Sequence, residues 1–211
     1  MGNREDLLSG AKRCLLERGY LRTTARDIAT AAGVSLAAIG YHFGTKEALL
    51  TEALVLSIED WDKQLRESLH SVVRAGADPT KRIEATWEEL LKTIETHRKL
   101  WTANLELFAQ IDRQPEIRRV LGVRLERARS ALASLFLGKE ESAIDDRTAH
   151  TIGGFYHALL SGLIVQSLMD PKHALSARDL TCAVRTAAAG MAPSHGKRKR
   201  HRITSKINGR A

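Results

Sequence analysis

Apolar residues recur every three or four positions along most of the chain, and no stretch sustains a period of two, so the pattern predicts helix after helix. Leu7, Leu8, Ala11, Cys14 and Leu15 make one stripe, which Gly19 ends. Two short segments follow, Thr24 to Ala32 and Ser35 to Tyr41, with a turn at Gly33 between them. A new helix starts from Thr45, where Leu50, Leu54, Ile58, Trp61, Leu65, Leu69 and Val72 keep to one side. Unbroken, it spans about 40 Å at 1.5 Å per residue, a strut from a small N-terminal unit into the larger remainder. Gly76-Ala77-Asp78-Pro79 stops it and starts the next helix, with Asp78 as N-cap and Pro79 at the first helical position.

Ile83, Trp87, Leu90, Leu91 and Ile94 stripe a fifth helix; Trp101, Asn104, Leu105 and Phe108 stripe a short sixth. Pro115 opens a seventh that carries Ile117, Leu121, Leu125, Ala128, Leu132 and Leu135. After a polar break from Gly138 to Asp146, residues 147–169 predict a helix that is apolar on nearly all sides beyond Ile152. Such a helix must be covered on all sides, and this close to the C-terminus a partner subunit is the natural cover. Asp170-Pro171 ends it, and Ser176 to Ala189 forms the last.

The informative block runs from Thr23 to Leu49. Thr24 is placed to cap its helix with Asp27 three residues on, an acidic variant of the capping box. Ile28 and Ala32 share one side, and small Ala29 permits a close helix crossing. Gly33 supplies a left-handed turn residue. Val34 plugs the corner, Ser35 caps the second helix, and Ile39 and Phe43 turn to the core. Leu36, Ala37, Gly40 and Tyr41 are left on the outer face. Two short helices joined by such a turn are the anatomy of a helix-turn-helix, whose second helix enters the DNA major groove.

Over residues 4–50 the block closely resembles the DNA-binding signature of the TetR (tetracycline repressor) family of bacterial regulators; beyond residue 50 the resemblance is architectural. It implies an all-α fold of about nine helices: an N-terminal three-helix helix-turn-helix domain (1–50, motif about 24–43) and a C-terminal helical ligand-binding and dimerisation domain (51–193). A tail, 194–211, completes the chain. By position, the resemblance implies phosphate contacts at Thr24, Tyr41, His42 and Lys46; each has a structural alternative, a cap for Thr24, packing on the first helix for Tyr41, an internal hydrogen bond for His42 and a solvated lysine for Lys46. Gly40 departs from the family, which often has an aromatic there. The recognition helix holds no charge, Asn or Gln, so bidentate base readout must come from elsewhere. Leu36, Ala37 and Ala38 suit thymine methyls, while Ser35, Tyr41, Arg22 and Arg26 supply polar groups.

The resemblance further implies a small-molecule sensor, with the fourth helix as lever. Trp87, His97, Trp101, Asn104, Phe108 and Tyr156 are the candidate ligand-lining residues, against the ordinary alternative that aromatics at helical spacing are core. The scarcity of aromatics, 5%, leaves room for an aliphatic pocket and a hydrophobic effector. For a homodimer, Gly153, Gly154, Ala158, Ser161 and Gly162 allow close helix approach. Leu159, Leu163, Val184 and Ala188 fill the interface.

Net charge is +8, from 33 Lys+Arg against 25 Asp+Glu, but it is unevenly spread. Lys197, Arg198, Lys199, Arg200, Arg202, Lys206 and Arg210 lie beyond residue 194 with no acid among them, so the rest of the chain is close to neutral. The tail reads as a disordered extension that adds salt-dependent phosphate attraction or is simply solvated. Cys14 and Cys182 sit in apolar helical patterns and read as reduced core thiols. The apolar run Ala158 to Met169 is short for a membrane span, and no secretory signal opens the chain. Asp146, His150 and His157 share a helical side, more in keeping with a polar stripe than a metal site. No phosphate loop, zinc-protease motif, paired cysteines or nucleophile elbow is present. The expectation is therefore a non-enzymatic, cofactor-free regulator, a repressor released by its ligand, that binds double-stranded palindromic operator DNA in the bacterial cytoplasm, on the nucleoid when DNA-bound. The competing classes are a helical ligand-binding protein or enzyme without DNA function and a loosely specific chromosome-binding protein.

Overall fold

Capping and turn chemistry sets the helix boundaries. The structure, a computed structural model, describes the backbone of residues 3–72 and 78–191 and the side chains of 3–69 and 78–191. The described residues form nine helices: α1 (Asn3–Arg18), α2 (Ala25–Ala32), α3 (Ala37–Phe43), α4 (Lys46–Val72), α5 (Pro79–Thr96), α6 (Arg98–Phe108), α7 (Pro115–Leu137), α8 (Asp146–Met169) and α9 (Ala177–Met191). Asp78 caps α5 as its sequence predicts, accepting from the N–H groups of Thr80 (2.8 Å) and Lys81 (3.2 Å), with Pro79 in the first turn. Ser176 and Asp179 form a capping box at α9 that the hydrophobic pattern did not signal. Gly76, Ala77, the side chain of Val72 and the 194–211 tail lie outside the described residues.

α1 to α3 form a small unit around Leu7, Ala11, Leu15, Ile28 and Ile39, all buried. α1 packs on both α2 and α4, so the unit is closed by the first turns of α4 through Leu49, Leu50, Ala53 and Leu54. Gly10 permits the α1–α2 crossing: a Cβ there would meet the Ala32 backbone nitrogen at 2.9 Å and the Ile28 oxygen at 3.0 Å.

In the larger unit α5 and α6 pack on α4, α7 packs on α5 and along α8, and α9 packs on α5. Its core holds an aromatic stack in which Phe136 and Tyr156 lie parallel at 3.7 Å, with Trp87 tilted against both. α8 is less regular than its apolar pattern predicts. Ala149–Gly153 is a π-helical turn, and Gly153 lies where a Cβ would sit 2.0 Å from the backbone oxygen of Arg129 on α7. The wider turn and the missing side chain let two backbones touch. At its other end Arg98 donates to the carbonyls of Ser167 (3.0 Å) and Leu168 (2.7 Å), filling orphan acceptors at the C-terminus of α8.

Two expectations are corrected here. Cys14 is buried, but Cys182 is exposed on α9, because its stripe turns away from the monomer core. The span from Asp146 to Met169 is long and apolar enough to cross a membrane by length and composition, since the helix extends well before Ala158. Only 22% of its most apolar window is buried within the chain.

Candidate nucleic-acid interface and effector cavity

The helix-turn-helix is built by local bonds. Thr24 accepts from the Asp27 N–H at 3.2 Å, while Asp27 Oδ2 accepts from the Thr24 N–H (2.9 Å) and hydroxyl (2.7 Å). Those bonds, with Arg18 at 3.0 Å, hold the Asp27 carboxyl below the usual aspartate value. Gly33 adopts φ 69°, and its N–H and that of Val34 return to the end of α2. Thr23 opens the informative block with no role read from the sequence, yet it is almost wholly buried. Its hydroxyl donates to the Gly19 carbonyl at 2.7 Å and so fastens the end of α1 to the start of α2. The only sequence signal was a Thr-Thr pair, in which Thr24 attracts the capping role.

α3 begins later than expected. Ser35 does not cap it: Leu36 already has helical angles, and a tight turn is closed by Ala38 N–H to Ser35 O (3.1 Å) and Ile39 N–H to Leu36 O (3.2 Å). Ala38 and Ile39 are buried, so Ala38 cannot meet a thymine methyl. Leu36, Ala37, Gly40 and Tyr41 are exposed as predicted, Tyr41 to 86%, and Ser35 is exposed beside them in the chain. That exposure excludes packing of Tyr41 on α1 within this chain. A shallow groove between the start of α1 and α3 is lined by Asn3, Ser35, Ala37, Ala38, Tyr41 and His42. Asn3 was not singled out in the sequence, because a single terminal Asn carries no pattern. The His42 ring packs edge-on to Tyr41 at 4.9 Å. Lys46 is half-buried and donates to the Thr23 carbonyl at 3.1 Å, with Glu47 at 3.3 Å. Thr24 and Arg26 are exposed beside this face. Of the nine residues expected to meet DNA, Ser35, Ala37, Tyr41 and His42 line that groove, Thr24, Arg26, Leu36 and Gly40 are exposed, and Lys46 is half-buried.

The second feature is a cavity of about 630 Å³ between α4, α6, α7 and α8. Its walls are largely aliphatic. Trp101, Asn104 and Phe108 line it, as expected; Trp87, His97 and Tyr156 do not. Trp87 and Tyr156 belong to the aromatic stack on the far side of α5 and α8, where burial raises the Tyr156 hydroxyl above its ordinary value. His97 closes α5, with Nδ1 3.0 Å from the Thr93 carbonyl oxygen. All six sit at helical spacing, and helix crossings, not spacing, decide which face meets a void. Four α4 residues, Ile58, Trp61, Asp62 and Leu65, contribute to the wall, as do His157 and Ser161 of α8. Burial, then Arg129, pushes His157 below the usual histidine range. Asp146 and His150 are exposed and apart from that wall, and among the described residues no three His, Cys, Asp or Glu groups could hold a metal ion.

The proposed dimer residues divide. Ala158 and Ala188 are exposed, and Gly154, Leu159, Gly162 and Val184 are half-buried. Leu163 is buried in the chain's own core and offers nothing to a partner, because α8 rolls that side toward α5 and α6. Ile152, Phe155, Val165 and Met169, not chosen from the sequence, leave α8 with exposed apolar surface.

A three-helix unit with a helix-turn-helix is joined by one long helix to the wall of an apolar cavity, the architecture of a helical helix-turn-helix protein with a second, cavity-bearing unit. Residues 7–53 match the bacterial regulatory proteins of the tetR family, and residues 79–193 match the C-terminal domain of the BetI-type transcriptional repressors. The transcriptional regulator BetI of Rhizobium meliloti strain 1021 is 29% identical over 72% of this chain and 75% of its own. The fold is shared with a transcriptional regulator of Pseudomonas aeruginosa PAO1 (TM-score 0.64, 22% identity, 89% of this chain and 88% of that one). It is also shared with a regulator from Saccharomonospora viridis in complex with choline (TM-score 0.58, 22% identity, 88% and 95%). The chain belongs to the TetR family with a BetI-type C-terminal domain, and is a DNA-binding transcriptional regulator.

Proposed function

We propose that the chain is a repressor that binds a palindromic operator as a homodimer in the bacterial cytoplasm and leaves it when a small molecule fills the cavity, with no enzymatic activity. One observation carries this reading: α4 serves both units. Its first turn closes the DNA-reading unit through Lys46 and Leu49, and Ile58 to Leu65 wall the cavity three turns on. A ligand that prefers one position of α4 changes the spacing of two paired α3 helices, which is a coupling between distinct sites.

On this reading Ser35, Leu36, Ala37, Gly40 and Tyr41 face the base edges. Thr24, Arg26, His42 and Lys46 hold the phosphate backbone. The DNA-reading unit ends near residue 50, 51–193 senses and dimerises, and the basic tail adds phosphate attraction. A second copy covers the apolar side of α8 around Gly154, Ala158, Leu159 and Gly162, with Val184 and Ala188 of α9. That covering suits a soluble regulator better than lipid does, because α7 already packs along the same helix.

The test is selection of genomic fragments on the purified full chain. A palindrome with half-sites about one DNA turn or a multiple apart is expected. Binding without a motif, retained only while residues 194–211 are present, would overturn the reading.

A further inference from the structure

Of the polar side chains in the cavity wall, one stands apart. Asp62 is clamped by Arg66, which reaches it through Nε (3.0 Å) and Nη2 (2.9 Å). Arg118 is drawn to Asp112 at 2.7 Å on the surface. Burial pushes His157 below the usual histidine range, and Asn104 and Ser161 carry no charge. Arg124 of α7 differs: its side chain is 19% exposed, and its recorded bonds all use Nη1, to the Val55 carbonyl (3.1 Å) and Glu59 Oε1 (3.3 Å). Among the described residues no acceptor meets its Nε or Nη2.

Burial is the largest influence on this guanidinium and pulls its pKa down; Glu59 and Asp62 oppose it, and neighbouring Arg127 adds to it. Arginine stays protonated in proteins, and with its bonds all on Nη1 the rest of this guanidinium's donor fork is left for another acceptor in a largely apolar wall. A planar guanidinium with part of its donor fork unfilled matches a carboxylate in bidentate geometry.

We propose that the effector is an amphipathic organic carboxylate whose apolar body occupies much of the cavity of about 630 Å³ and whose carboxylate pairs with Nε and Nη2 of Arg124. The proposal rests on the cavity being the effector site. Because Val55 and Glu59 both belong to α4, an anion on the unfilled edge of the fork bears on the same guanidinium by which α7 holds that helix. Choline suits this cavity poorly: it fills a minor part of about 630 Å³ and meets Arg124 with the same sign of charge.

The test uses the full chain with three probes: tetradecanoate, its primary amide, which keeps the shape without the charge, and choline. Fluorescence of Trp61 and Trp101, both in the cavity wall, reports binding. Tetradecanoate is expected to bind at least about tenfold more tightly than the amide. Arg124→Gln is expected to bring the acid down to the affinity of the amide. The wild-type comparison needs no variant to fold. Equal affinities, a preference that survives Arg124→Gln, selective choline binding, or no binding of acid and amide would each overturn the proposal. Filling the cavity with Ala128→Trp separates the two levels. If it blocks both lipids but no charge preference exists, only the carboxylate assignment falls; if it blocks neither, the cavity is not the effector site.

Discussion

The carboxylate of Glu106 on α6 accepts a hydrogen bond from the backbone N–H of Leu21 at 3.0 Å, in the loop between α1 and α2. Gly19 shares the contact: it adopts φ 83°, and a Cβ there would stand 2.9 Å from Glu106 Oε2. Leu105 and Phe108, on either side of Glu106, line the cavity. The sensor unit thus touches the DNA-reading unit at its backbone, away from α4. Glu106→Ala leaves the Leu21 N–H without this acceptor and is expected to cost about 1 kcal/mol in urea unfolding. Gly19→Ala adds left-handed strain of about 1 kcal/mol to the displacement of a flexible side chain.

Tyr41 is the cleanest probe of the DNA face. At 86% exposure its one ring contact is the edge of His42, so Tyr41→Ala should change the melting temperature little while weakening operator binding by about 1–3 kcal/mol. Lys46→Ala should weaken binding to all sequences alike and reduce the salt slope by about one, as expected for one lost phosphate contact. Gel-shift titrations across salt concentrations read both.

Two glycines of α8 should behave oppositely. Gly153→Ala forces a methyl into the Arg129 backbone, which has no rotamer to yield, and is expected to destabilise the fold by about 3 kcal/mol or more. A Cβ at Gly162 meets nothing within 4 Å, so Gly162→Ala should stabilise the isolated chain by up to about 1 kcal/mol of helix propensity. If a second copy covers this face, the same methyl weakens self-association. Calorimetry and sedimentation separate the two effects.

The Asp27 box makes a defined pH dependence. Its carboxyl is held below the ordinary 3.8, so its stabilisation is fully present above that value and is lost as pH falls through the lower folded-state value. The stability gap between wild type and Asp27→Asn should be constant near neutrality and close only in acid. Urea titrations from pH 7 downward follow it; a gap that closes already near pH 6 would contradict the assignment.

Deletion of residues 194–211 should flatten the salt dependence of DNA binding without changing the preferred sequence, because seven positive side chains with no acid among them add sequence-independent phosphate attraction. An altered site preference would refute this.

The sequence alone determined what depends on neighbours in the chain. The capping box at Thr24, the left-handed Gly33, the outward set from Leu36 to Tyr41, the Asp78-Pro79 start and the length of α4 all follow from bonds a few residues apart, which the order of residues specifies directly. Tertiary structure decided what depends on how helices cross. Trp87 and Trp101 carry the same apolar signal, yet one fills the aromatic core and the other faces the cavity. Leu163 and Ala158 lie on one apolar helix, yet only Ala158 is left uncovered. Arg124 looks like any helical arginine until α7 lies against α4 and buries its charge beside a void. Periodicity gives a helix its apolar side, but the crossing angles and close approaches, such as Gly153 on Arg129, fix whether that side meets side chains, an empty space or solvent.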